Sequence, residues 1–311
     1  MLVSRMNAPQ KPIVVVGSIN MDLVASTPRI PLAGETLIGS DFTTSPGGKG
    51  ANQAVAVARL GFPVQMIGAV GEDVFGEGLL KNLRQAGVGA DAVARVAGPS
   101  GVAPILVAAN GENSIVVVSG ANGKVTPALI DQHADLIAAA GMVLCQLEIP
   151  LATLSHTLEL CAKAGVPVVL DPAPAAELPE RVWGQVTWFT PNETEAARYI
   201  GESLPAEAAA KRLLARGVRS VVLKRGSEGA YVAAAGGDAR WVPAFRVDAI
   251  DTVAAGDCFN GAFAVSLLEG RDPWDAARFA AAAAAISVTR RGAQASMPSR
   301  AEVDGFLRQQ G

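Results

Sequence analysis

Met142-Val-Leu-Cys145, then Leu151-Ala-Thr-Leu-Ser-His-Thr-Leu-Glu-Leu-Cys-Ala-Lys-Ala164, then, past Gly165, Val166-Pro-Val-Val-Leu170: this stretch reads as strand, helix, strand. The outer runs are short, apolar and rich in valine, as strands buried on both faces require. The middle run has helical length, and glycine follows its last turn. The same rhythm extends in both directions. Strands are expected at 13–16, 64–67 and 220–223. Helices are expected at 51–60 before Gly61, at 127–140 between a Thr126 cap and Gly141, and at 206–216 before Gly217. A repeated β-then-α order predicts an α/β fold, with a parallel sheet covered by helices on both faces. Two regions break the rhythm. Residues 23–44 and 102–118 carry strand-like alternation around turn signals at Pro31-Leu-Ala-Gly34 and Asn110-Gly-Glu-Asn113, which predicts a small antiparallel sheet projecting from the main body. The alanine run at 280–285 predicts a close-packed helix.

Composition narrows the function classes. The 311 residues are 50% hydrophobic, enough for a well-buried core. A formal net charge of −3 offers no basic excess for nucleic acid and no polybasic cluster for an anionic membrane, so a small-molecule partner is expected. No run reaches the roughly 18 apolar residues of a membrane span. Cys145, Cys161 and Cys258 are far apart and lack metal-ligand or disulfide spacing, which suits a reducing cytoplasm. His133 and His156 sit in helical patterns without ligand spacing. Residues 1–10 are expected to form a disordered extension to a single domain over 11–311.

The sharpest chemical signal is Asp251-Thr-Val-Ala-Ala-Gly-Asp-Cys-Phe-Asn-Gly261, followed by an apolar helical stretch. Small residues ahead of a helix let backbone N–H groups approach an anion, and the helix dipole favours negative charge there. Ala254, Ala255, Gly256 and Asp257 therefore read as a phosphate cradle. Asp257 has two readings: a favourable acid in a first helical turn, or a base that takes a proton from a substrate hydroxyl beside the phosphate. Gly17-Ser-Ile-Asn-Met-Asp22 and Pro46-Gly-Gly-Lys-Gly-Ala-Asn-Gln53 form a second constellation, whose Asn20, Asp22, Lys49 and Asn52 supply the donors and acceptors that read a polyhydroxylated molecule. The Walker A spacing, the protein-kinase triplets and the dinucleotide glycine fingerprint are all missing. Three more stretches fall at expected strand ends: Gln146-Leu-Glu-Ile-Pro150, Thr190-Pro-Asn-Glu-Thr-Glu195 and Lys224-Arg-Gly-Ser-Glu-Gly229. Taken singly, Asn192 and Glu195 are a capping box, and Gly226 and Gly229 a tight turn; a doubly wound sheet would open all these loops on one edge.

These residues resemble the ribokinase family of carbohydrate kinases, from Ile13 to Leu307, with the family's signatures at 47–54 and 251–261. The words Gly17-Ser-Ile-Asn-Met-Asp22, Thr190-Pro-Asn-Glu-Thr-Glu195 and Val288-Thr-Arg-Arg-Gly-Ala-Gln294 resemble the ribose-phosphorylating branch more than the fructokinase or adenosine kinase branches. The resemblance implies a three-layer α/β/α sandwich around a mostly parallel sheet. It also implies a small β-sheet lid, placed at about 19–45 and 99–120, that packs on a second copy's lid in a homodimer. It implies that Asn20, Met21, Asp22, Gly48, Lys49, Gly50, Ala51, Asn52 and Glu148 hold D-ribose, and that Asp257 deprotonates its O5 hydroxyl. ATP would lie along Asn192, Lys224, Arg225, Gly226, Ser227, Glu228, Gly229, Gly256, Asp257 and Ala281, the last standing where some relatives place a histidine beside adenine. Asn192 and Glu195 would organise Mg²⁺ through water. K⁺ would take the Asp251 side chain, carbonyls of Val253, Ser287, Arg290 and Gly292, and Ser296. Kinases of 2-deoxyribose, other sugars or nucleosides are the near alternatives. A non-catalytic sugar sensor is the distant one, and its mark would be loss of Asp257, which is in place.

Overall fold

The computed structural model describes residues 10–234 and 236–310, so the extension expected at 1–10 lies, apart from Gln10, outside the described residues. The strands are β1 (Ile13–Val16), β2 (Asn20–Thr27), β3 (Asp41–Gly47), β4 (Val64–Gly71), β5 (Val93–Val96), β6 (Gly101–Ala108), β7 (Asn113–Ile115), β8 (Met142–Cys145), β9 (Val168–Leu170), β10 (Trp188–Phe189), β11 (Ser220–Lys224), β12 (Gly229–Ala234) and β13 (Ala239–Pro243). Nine of them form one sheet in the order β13-β12-β11-β10-β9-β8-β1-β4-β5, parallel from β11 to β5 with an antiparallel hairpin at one edge.

The central strands are apolar throughout because both of their faces are covered. Successive residues point to opposite faces, so Ile13 and Val15 of β1 join Met142 and Leu144 of β8 in one core, while Val14, Val16, Val143 and Cys145 enter the other. Helices Lys49–Arg59, Val74–Gln85, Ala255–Leu268 and Pro273–Val288 cover the first core. Leu151–Ala164 and Ala206–Ala215, with shorter segments, cover the second. The result is the three-layer α/β/α sandwich. The alanine run lies within Pro273–Val288, packed against Ala255–Leu268. Ala255–Leu268 also meets Lys49–Arg59 closely at Gly261, where a Cβ would come 2.8 Å from Ala56 Cβ and 3.0 Å from the Gln53 carbonyl oxygen.

Two expectations need correction. The helix read at 127–140 is two pieces, Pro127–Asp131 and Ala134–Ala139. The backbone leaves helical geometry at His133 (φ −121°, ψ 20°), and the preceding Asp131 and Gln132 are exposed, so core packing does not hold the segment straight there. The small sheet, ordered β3-β2-β6-β7, is mixed and not antiparallel: β2 pairs antiparallel with β3 but parallel with β6. Parallel neighbours need a crossover, and the chain makes one by passing through β4, Val74–Gln85 and β5 between them. β2 itself joins the two sheets' territories. Its first three residues are buried and the next five only partly so.

Candidate active site

Asp257 lies in the first turn of Ala255–Leu268. The residue before that helix, Ala254, has φ 58°, the only non-glycine positive φ among the described residues. A left-handed alanine costs roughly 1–2 kcal/mol, and strain of this kind concentrates where backbone is aimed at a ligand. The helix's first i→i−4 bond runs from Cys258 N to Ala254 O (2.9 Å), which leaves the N–H groups of Gly256 and Asp257 without a backbone acceptor at the helix's positive end. The turn marked in the sequence thus carries two N–H groups without backbone acceptors.

The Asp257 side chain does not cap its own helix. It is buried, its Oδ2 accepts from Asn52 Nδ2 (3.0 Å), and its Oδ1 accepts from Gln53 Nε2 (3.1 Å). Burial raises its pKa; Lys49 opposes that shift, Asp171 adds to it, and the two amides oppose it again. A carboxyl held between these influences stays ionised near neutrality while remaining basic enough to accept a proton. Cys258 beside it is buried and pushed up to about 12, which makes it an inert thiol.

Lys49, Gly50, Ala51 and Asn52 open the helix after Gly48, whose φ of 87° and approach to Asn20 N (2.6 Å from a would-be Cβ) exclude a side chain. Glu148, just past β8, ties this loop to the first strand: its Oε2 accepts from Ser18 Oγ (2.5 Å), Lys49 N (3.2 Å) and Asn20 Nδ2 (3.4 Å). Met21 and Asp22 follow on β2, with Asp22 opposite Ser45 on β3. Asp22 is raised to about 7 by burial and then by the nearby Glu148 and Asp257, so near neutral pH it both donates and accepts. Burial works against the Lys49 charge, yet Asp257, Asp171, Glu148 and Glu195 outweigh it and raise its pKa.

Of the residues expected along ATP, Asn192 and Lys224 bridge to each other past the ends of β10 and β11. Asn192 caps Glu193–Ile200 and Glu195 completes the capping box, with both of its oxygens engaged by Asn192. Lys224 Nζ donates to Asp171 Oδ1 (3.0 Å) and lies 3.4 Å from where a Cβ on Gly256 would stand. Arg225 is held by Glu193 (2.8 Å) and Glu228 (3.1 Å), so its charge already has carboxylate partners. Gly226, Ser227 and Glu228 form an exposed 3-10 turn, and Gly229 starts β12, so the tight-turn reading also describes this hairpin. Ala281 is packed in the core with only 8% exposure.

Asp251 accepts from Val253 N and Gly292 N (2.9 Å each), drawing together two loops expected to share a cation. The Ser287 carbonyl accepts from Arg290 N (3.1 Å), and Ser296 donates its hydroxyl hydrogen to the Ala293 carbonyl (2.7 Å), which leaves the Ser296 oxygen able to accept. Such all-oxygen donors suit a hard cation. Five residues that sequence reasoning did not assign complete the floor: Gln53, Asn122, Gln146, Asp171 and Gln294. Asn122 Nδ2 donates to Asn20 Oδ1 (2.6 Å), Gln146 Nε2 to Gln53 Oε1 (2.7 Å), and Gln294 Nε2 to Asn52 Oδ1 (3.2 Å). Their signal was present for Asp171, which follows a strand and precedes a proline, and for Gln53, Gln146 and Gln294, which sit inside quoted stretches.

A buried carboxylate, a strained helix start whose Gly256 and Asp257 amides lack backbone acceptors, and the polar side chains of Asn52 and Gln53 thus adjoin one another. A family model described as pfkB family carbohydrate kinase matches residues 10–300. The chain is 43% identical over 295 residues to ribokinase of Bacillus subtilis, covering 95% of this chain and 99% of the relative. It is 39% identical over 301 residues to deoxyribokinase of Salmonella typhi, covering 95% and 98%. The structure of Arabidopsis thaliana ribokinase complexed with ribose and ATP superposes with a TM-score of 0.91 at 36% identity, covering 96% of this chain and 99% of that one. The chain belongs to the pfkB family of carbohydrate kinases.

Proposed function

We propose that the protein transfers the γ-phosphoryl group of ATP to O5 of D-ribose, giving D-ribose 5-phosphate and ADP. The observation that carries the reading is the buried Asp257 carboxylate, held by Asn52 and Gln53 at the mouth of the Gly256 and Asp257 amides. The sugar lies among Asn20, Met21, Asp22, the loop from Gly48 to Asn52, and Glu148. Asp257 accepts the O5 proton as that oxygen attacks in line, and the Ala254, Ala255, Gly256 and Asp257 turn stabilises the developing charge. Lys224, Arg225, Gly226, Ser227, Glu228 and Gly229 line the nucleotide, and Ala281 contributes only a small surface beside it.

The cleft has an excess of carboxylates: Asp22, Glu148, Asp171, Glu195 and Asp257 surround Lys49 and Lys224. ATP adds more negative charge, so a divalent cation fits the balance. Mg²⁺ supplies charge neutralisation at the phosphates when bound. No cluster of three or more His, Cys, Asp or Glu among the described residues forms a dedicated cage, which suits a metal held through water near Asn192 and Glu195 and by the phosphates. K⁺ would be held by Asp251, Val253, Ser287, Arg290, Gly292 and Ser296, behind the Ala254 turn, fixing its amides. A homodimer through the small sheet is supported by the exposed apolar side chains of Phe42, Ile115, Val116, Val117 and Val118. Three free, buried cysteines fit a cytoplasmic setting.

ADP release measured across pentoses and nucleosides, in Na⁺ and again in K⁺, tests the reading. The expected outcome is fastest turnover on D-ribose, raised by K⁺. Faster turnover on 2-deoxyribose would assign the sugar differently, and indifference to K⁺ would remove the Asp251 site.

A further inference from the structure

Each oxygen of the Asp257 carboxylate ends on a side-chain amide, and each amide ends on another. On the Oδ1 side, Gln146 holds Gln53, which donates to both Asp257 and Asp171. On the Oδ2 side, the run is longer and reaches outward: Asn82 Nδ2 donates to Gln294 Oε1 (2.6 Å), Gln294 Nε2 donates to Asn52 Oδ1 (3.2 Å), and Asn52 Nδ2 donates to Asp257 (3.0 Å). Asn82 lies half-buried on Val74–Gln85, and Gln294 in the loop after Pro273–Val288.

A primary amide has a donor end and an acceptor end. Turned by half a rotation, Asn52 would set its carbonyl oxygen against the carboxylate, acceptor against acceptor. What opposes that rotation is Gln294, whose donor end meets Asn52 Oδ1. Gln294 in turn is kept from rotating by the Asn82 donor at its Oε1 and by the Gly47 carbonyl, which can only accept, 3.5 Å from its Nε2. The polarity of the whole run is thus set by a backbone carbonyl and ends at the base.

We propose that Gln294, oriented by Asn82, is a positioning residue that locks the Asn52 amide with its NH₂ toward Asp257 and so keeps that carboxyl ionised between turnovers. The proposal rests on Asp257 being the base. The other charges facing that carboxyl are Lys49 from the adjoining helix, Asp171 past β9 and Asp22 on β2, and none of them is hydrogen-bonded to Gln294. Among the hydrogen bonds to Asp257, removing Gln294 therefore touches only the one from Asn52. A hydrogen bond that favours the charged form lowers a carboxyl pKa, so losing its control moves the pKa upward.

The test is the carboxyl ¹³C titration of Asp257 in protein labelled at aspartate, assigned by its loss in Asp257→Asn, together with the pH profile of kcat/KM. In Gln294→Leu the Asp257 titration moves up by about one pH unit, and the acidic limb of kcat/KM moves with it, so activity lost at neutral pH returns as pH rises. Asn82→Ala shifts both in the same direction by less, and because Asn82 is partly exposed it decides the matter if Gln294→Leu does not fold. A merely structural tie would lower the melting temperature and leave the titration in place; an unmoved titration in these variants overturns the proposal. If wild-type kcat/KM does not follow the Asp257 titration, the base assignment falls, while the carboxyl titration still judges the relay.

Discussion

The two sheets of the molecule are made of similar β-branched strands and meet opposite fates. In the large sheet, Ile13, Val14, Val15 and Val16 are fully buried, because helices cover both faces. In the small sheet, Phe42 on β3 is 62% exposed, and Val116, just past β7 at the opposite edge, is 61% exposed. The difference teaches that burial here is decided by what the chain places over a strand and not by the strand's composition. The small sheet is itself divided: β2 begins with the buried Asn20, Met21 and Asp22, while its edges leave apolar side chains on the surface.

Three variants press on that division. The largest expected effect is at the edge of the large sheet, where Asp257→Asn removes the base and lowers kcat by about 10²- to 10⁴-fold, with sugar affinity retained; steady-state kinetics and a sugar titration check both halves. Next is Leu144→Ala on central strand β8, a fully buried side chain whose truncation costs about 2–5 kcal/mol of unfolding free energy by denaturant titration. Smallest is Val116→Lys on the small sheet. It leaves the unfolding midpoint of the monomer close to the parent's and weakens self-association about tenfold, roughly 1.4 kcal/mol, measured by sedimentation. A Val116→Lys protein as destabilised as Leu144→Ala would erase the contrast between the sheets.

Much of this was legible because it is local. Strands β1 and β8 and the Leu151–Ala164 helix run between the limits read from the sequence, since a run of β-branched residues or a terminal glycine acts within a few positions. The Asn192 and Ser299 capping boxes form as their residue types predict. The Asp73 cap of Val74–Gln85 was an equally plain signal that went unread. What stayed hidden is long-range. The parallel pairing of β2 with β6 depends on a crossover through another sheet, and local alternation carries no record of partner direction. Asn52 meets Asp257 across 205 residues, and Gln294 meets Asn52 across 242; nothing near either residue announces the other. The pairing of Arg225 with Glu193 and Glu228 is of mixed range, since Glu228 is three residues away and Glu193 lies on another element.

The contact at Gly261 has a consequence in time. It presses the helix bearing Asp257 onto the one bearing Lys49, Asn52 and Gln53, and those two helices leave the ribosome at opposite ends of synthesis. Until residue 261 has been made, the amides of Asn52 and Gln53 lack the acid that completes them, and the face of Lys49–Arg59 that meets Gly261 waits uncovered. Contacts of such long sequence separation close slowly, and an apolar face left open during elongation is an invitation to chaperones. The helix that opens at Lys49 is thus made early and completed late, since nascent chains shorter than about four-fifths of the sequence lack Asp257.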